Sequence, residues 1–132
     1  MVMISACTHS RLPEANGKYL NPDGDFTLHI NNLSEAINPV DIRVLINDEL
    51  VVSEYIPRTG DQYDDFQHIK MSLPKGNYRF EIYSDLGATT NISDVVITNQ
   101  NAGLIGFWFA PHYGQTNAHI SFNTFEGELM LD

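Results

Sequence analysis

From Phe26 onward, apolar residues recur at every second position in short runs. In "FTLHIN" Phe26, Leu28 and Ile30 share a face. In "VDIRVLIN" Val40, Ile42, Val44 and Ile46 do the same, with Asp41 and Arg43 opposite. Successive side chains of an extended chain point to opposite faces, so this period predicts strands with one buried face. Asn47-Asp48 tolerate a left-handed turn, and "LVVSEYI" follows them, which predicts a hairpin. "FQHIKMSL" groups Ile69, Met71 and Leu73. "YRFEIYS" sets Tyr78, Phe80 and Ile82 against Arg79 and Glu81. "ISDVVIT", "LIGFWFA" and "HISFNTF" complete a set of eight strands.

No helical stripe appears, and residues 31–38 have room for one short turn only. Short strands parted by Gly, Pro, Asn and Asp predict an all-β fold, an antiparallel β-sandwich over residues 26–132. Residues 8–25 lack any period and hold two Pro and two Gly, so residues 1–25 are expected to end in a flexible N-terminal tether. If each strand runs opposite to the one before, the connections alternate between two ends. Residues 47–48, 74–77 and 99–102 make short turns at the end where the tether arrives. Residues 32–39, 57–65, 85–90 and 111–117 make longer loops at the other.

The chain has 132 residues, enough for one domain whose core needs no disulfide or metal. Seventeen Asp and Glu against seven Lys and Arg give a net charge of −10. Such a surface repels phosphate backbones and anionic lipid, so neither nucleic acid nor a bare membrane surface is an expected partner. The single cysteine permits no intramolecular disulfide.

That cysteine closes Ile4-Ser5-Ala6-Cys7, which resembles the lipobox of bacterial lipoproteins. The resemblance implies a lipid on Cys7. Thr8, in place of aspartate, implies the outer membrane. Only Val2, Met3 and Ile4 stand between Met1 and the lipobox, whereas an export signal needs about 7–15 apolar residues. The resemblance therefore requires sequence upstream of Met1, from an earlier start or a trimmed chain; if the match is chance, the expected location is cytoplasmic.

"LPKGNYRFEI" (73–82) resembles the L-x-x-G-x-Y-x-x-x-I pattern of transthyretin-like and immunoglobulin-like domains. There Leu73 ends a strand, Gly76 makes a turn at positive φ, and the Tyr78 hydroxyl lies at a corner. With the lipobox, the chain resembles small sandwich lipoproteins of bacterial envelopes.

Chemistry-bearing motifs are sparse. His9, His29, His68, His112 and His119 form no H-x-H or H-x-x-x-H, so no metal site is expected. His29 and His68 read as ordinary strand residues. Asp61, Asp64 and Asp65 in "GDQYDDF" could offer oxygens to calcium, but they lack the spacing of a calcium loop and read as a solvated loop. There is no G-x-S-x-G and no Gly-rich phosphate loop. No cofactor and no enzymatic activity are expected.

The aromatics offer more. Ile105, Phe107 and Phe109 point one way, Leu104 and Trp108 the other. Trp108 is either covered by the tether or a loop, or exposed as a sugar platform or dimer contact. The expected function is a non-enzymatic, lipid-anchored envelope domain that binds a protein or glycan at its membrane-distal end. Tyr63, Asp64, Asp65, Trp108, His112 and Tyr113 are its candidate contacts. The alternatives are a structural or pilot-type subunit of an envelope assembly and, less favoured, a small hydrolase.

Overall fold

The alternating runs become strands because each can turn one row of side chains away from water. The computed structural model describes residues 12–59 and 66–127. The candidates Cys7, Asp61, Tyr63, Asp64 and Asp65 lie outside the described residues. Eight strands follow in order: β1 (Phe26–Asn32), β2 (Val40–Ile46), β3 (Glu49–Ile56), β4 (Gln67–Met71), β5 (Gly76–Ser84), β6 (Thr89–Ile97), β7 (Ala102–Trp108) and β8 (His119–Phe125). They form two four-stranded sheets, ordered β4-β1-β7-β8 and β3-β2-β5-β6. Only the β1–β7 pair is parallel; the other neighbours are antiparallel. The expected antiparallel β-sandwich is the observed architecture.

Between the sheets lie Phe26, Leu28, Ile30, Val40, Ile42, Ile46, Phe80, Ile82, Ile105 and Phe107, all fully buried. They are the residues that the period of two assigns to one face. Fully burying each such side chain favours folding by about 1.5–3 kcal/mol. At Asn47 and Asp48 φ is +50° and +69°, the left-handed pair that a two-residue hairpin needs to match strand twist. A bulge at Val44/Leu45 shifts the β2–β3 register, and both Val51 and Val52 are buried.

Gly76 opens β5 at φ +156°, positive as expected. Two residues on, the Tyr78 hydroxyl donates to the Pro74 carbonyl at 2.5 Å. Burial, then the neighbouring Tyr19 ring, pushes the Tyr78 hydroxyl pKa up.

The expected tether needs correcting: the segment is tied down from Asn16. The Asn16 N–H donates to the Leu50 carbonyl of β3 at 2.9 Å. Beyond it, Tyr19 and Asn21 exchange backbone hydrogen bonds with Ser72 and Lys70 at the β4 edge, and Leu20 bridges Met71. One segment thus joins the edge of one sheet to the edge of the other. Backbone groups do this work, so no side-chain periodicity announces it.

Asp41 also departs from a simple outward reading. It is 3% exposed, and its carboxylate accepts from the Ser84 hydroxyl and from the Asp85 and Leu86 N–H groups at 2.8–3.1 Å. Those donors supply the hydrogen bonds that water would otherwise make to a buried polar group. Arg43 pairs with Asp85 at 2.8 Å over the same turn.

The Thr59 N–H donates to the Asn32 carbonyl, so β1 and β3 finish at the same end. With the pairings above, odd-numbered strands all run one way and even-numbered strands the other. The loop following β1, the first residues after β3, the 85–88 turn and the β7–β8 loop therefore share one end. The chain enters β1 from the opposite end.

Candidate functional site

At the loop-bearing end, one amide holds several connections together. Asn32 is fully buried. Its Nδ2 donates to the carbonyls of Ile37 and Ile56 at 2.9 and 3.1 Å, and its Oδ1 accepts from the Ser34 N–H at 2.9 Å. The Ser34 hydroxyl oxygen then accepts from the Ala36 and Ile37 N–H groups. Residues 33–38 consequently make a tight side-chain-capped bend and no helix. The Arg58 N–H donates to Asn38 Oδ1 at 2.8 Å, joining this bend to the start of the β3–β4 loop. The Leu33 and Glu35 N–H groups donate to the Phe107 and Phe109 carbonyls, joining it to β7.

The β7–β8 loop is shaped by a single 3-10 turn, Pro111–Tyr113, closed by Gly114 at φ +85°. The Gln115 side-chain oxygen accepts from the Ala110 N–H at 2.7 Å and draws the loop back on itself.

These connections enclose an open groove of about 650 Å³ lined by Leu33, Glu35, Arg58, Thr59, Trp108, Ala110 and Tyr113. Trp108 is 40% exposed and Tyr113 80% exposed. Two of the expected contacts, Trp108 and Tyr113, thus meet at one groove. His112 shares the turn with Tyr113 and is exposed, but it does not line the groove. Glu35, Arg58 and Thr59 were not foreseen. They sit in loops of no distinctive composition, and they converge through Asn32, whose role depends on contacts 24 and 27 residues away.

The pose of Trp108 has a local cause. Its neighbour on the same sheet face is Gly106, and a Cβ there would fall 2.9 Å from Trp108 Nε1. With no side chain in the way, the indole leans back over the strand. Its Nε1–H points to the Ser121 hydroxyl at 3.4 Å. The His119 imidazole lies parallel to it, with 6.2 Å between centroids and 7° between planes. Beneath sits Asn31, 6% exposed, whose Oδ1 has no hydrogen-bond partner. Of the two readings of Trp108, the exposed one fits this geometry.

No family model, curated protein or solved structure matches this chain. The groove must be read from its own chemistry.

A second constellation lies on the outer face of the sheet that carries Trp108. The β1–β4 register sets His29 opposite His68. Their Nδ1 atoms are 2.8 Å apart and their rings meet edge to face. His29 is 3% exposed, with Phe125 stacked against it at 6.2 Å. Both are strand residues as expected, and beyond that expectation they form a part-buried hydrogen-bonded contact between buried His29 and exposed His68. One nitrogen must donate and the other accept, so the bond needs a neutral ring. Burial, and secondarily the charge of His68, lowers the His29 pKa to about 4. Among the described residues, no three His, Cys, Asp or Glu side chains gather as a metal site would require.

Proposed function

We propose that this chain is a non-enzymatic binding domain that holds a protein or glycan partner at its loop-bearing end. The observation that carries this reading is the groove itself. Two exposed rings, Trp108 and Tyr113, flank an opening whose walls are fixed to a rigid sandwich by the Asn32 hydrogen bonds. Large apolar rings on a rigid frame lose little entropy on binding, which is why such groups dominate recognition surfaces. Tyr63, Asp64 and Asp65 follow Arg58 and Thr59 in the sequence between β3 and β4, and with His112 they complete the proposed contact set.

The lipobox resemblance adds an envelope location. Cys7 carries a lipid in this reading, and the chain enters β1 at the end opposite the groove. An anchored domain would then offer the groove away from the membrane.

Two measurements test the proposal. With its native upstream coding region, the protein is expected in the membrane fraction with a lipid mass on Cys7, and Cys7→Ser is expected to release it. Location in the cytoplasm at the unprocessed mass removes the anchor. Independently, Tyr113→Ala should weaken retention on immobilised envelope extract about tenfold, or ~1.4 kcal/mol, without moving the melting temperature. Lys75→Ala, in the turn at the opposite end, should retain wild-type capture. Equal capture by all three proteins refutes the placement of the site.

A further inference from the structure

We infer that the ligand of the Trp108 groove is a neutral carbohydrate, with one sugar ring lying flat against the indole. This rests on the binding-domain reading above and gives it a chemical class.

The indole lies over Gly106 and is steadied by Ser121, so a flat ring face is presented in place of a knob that would plug a hole. The His119 ring stacks parallel to the indole and helps to hold its orientation. A pyranose has an apolar face of C–H groups whose partial positive charge complements the negative face of an aromatic ring. The ring edge carries hydroxyls, each both donor and acceptor. The groove supplies partners of both kinds. The exposed Glu35 carboxylate accepts and the exposed Arg58 guanidinium donates, while the buried Thr59 hydroxyl is already engaged with the Asn32 backbone. Adjacent hydroxyls can donate to a carboxylate and accept from a guanidinium simultaneously, which an apolar anchor cannot exploit.

Size and charge narrow the choice. About 650 Å³ falls within the roughly 300–1,000 Å³ of ligand sites, and the groove is open along one side, as a chain-like ligand needs. The net charge of −10 opposes uronates, sialic acids and phosphorylated sugars, leaving neutral glycans as the complementary class.

Trp108 is the only tryptophan in the chain, so its own fluorescence reports the event. The purified protein is titrated with cello-, malto-, manno- and chito-oligosaccharides, and a glycan array including uronates and sialosides gives breadth. The expected result is a saturable emission change with at least one neutral series. Retention on that immobilised glycan should fall tenfold or more in Trp108→Ala. It should be largely kept in Trp108→Phe, and reduced severalfold in Glu35→Gln, all at wild-type melting temperature. No emission change and no neutral glycan retained anywhere on the array overturns the inference, as does retention of acidic glycans alone. If glycans fail while Trp108→Ala and Tyr113→Ala still lose capture of an envelope protein, this inference falls and the binding-domain proposal stands. If those variants lose nothing either, both fall.

Discussion

Gly24→Ala is expected to destabilise the domain by about 3 kcal/mol in urea unfolding, at the upper end of what forced overpacking costs. A Cβ on Gly24 would sit 2.2 Å from the Met71 carbonyl oxygen and 2.4 Å from its carbon. Those atoms are backbone at the end of β4 and cannot rotate aside. The turn must lift, and lifting it strains the bonds that close this side of the sandwich. These are Asn21 N–H to the Lys70 carbonyl, Ser72 N–H to the Tyr19 carbonyl, and Asn21 Nδ2 to Ser72 Oγ at 2.9 Å. Gly17 provides the contrast. Its φ is +76° and nothing approaches its Cβ position within 4 Å. Gly17→Ala meets only the left-handed backbone penalty, about 1 kcal/mol. A Gly24→Ala loss no larger than that of Gly17→Ala would mean that the segment is dispensable to the fold.

The contrast also marks where sequence reading succeeds and fails. Phe80 and Ile82, or Ile105 and Phe107, declare their faces because burial in a strand depends on parity alone. Asn47-Asp48 declare the hairpin because few residues accept two consecutive positive φ values. Residues 16–24 declare nothing, since they are held through backbone groups and one glycine that meets a carbonyl 47 positions along the chain. Asp41 has the parity of an outward residue, yet a turn 43–45 residues later folds over it. In the candidate site, Trp108 and Tyr113 are visible as aromatics on an apolar strand and a long loop. Glu35 and Arg58 are not, because their meeting depends on a buried asparagine bridging loops far apart in sequence. The histidine pair is hidden for the same reason: its register exists only once β1 and β4 have paired.

That pair should make the domain lose stability in mild acid. Above pH 6.5 His29 is neutral in the folded and the unfolded chain, and its contribution is constant. As pH falls below 6.5, the unfolded chain binds a proton on His29. The folded chain refuses it until about pH 4, because the ring is buried beside His68 and Phe125. Stability therefore falls between those limits and levels off below them, where both states are protonated. At 1.36 kcal/mol per pKa unit, the full loss from this group is about 3 kcal/mol, of which about 2 kcal/mol has gone by pH 5. Carboxylates add their own dependence at the acid end, so the measurement is a difference. Urea unfolding of wild type and His29→Phe is compared at pH 7.5 and pH 5. Phenylalanine keeps the buried ring against Phe125, and exposed His68 can turn its nitrogen to water. The variant should lose about 2 kcal/mol less than wild type over this interval. Parallel losses in the two proteins would show that His29 takes up its proton as readily in the fold as outside it, and that the acid response has another source.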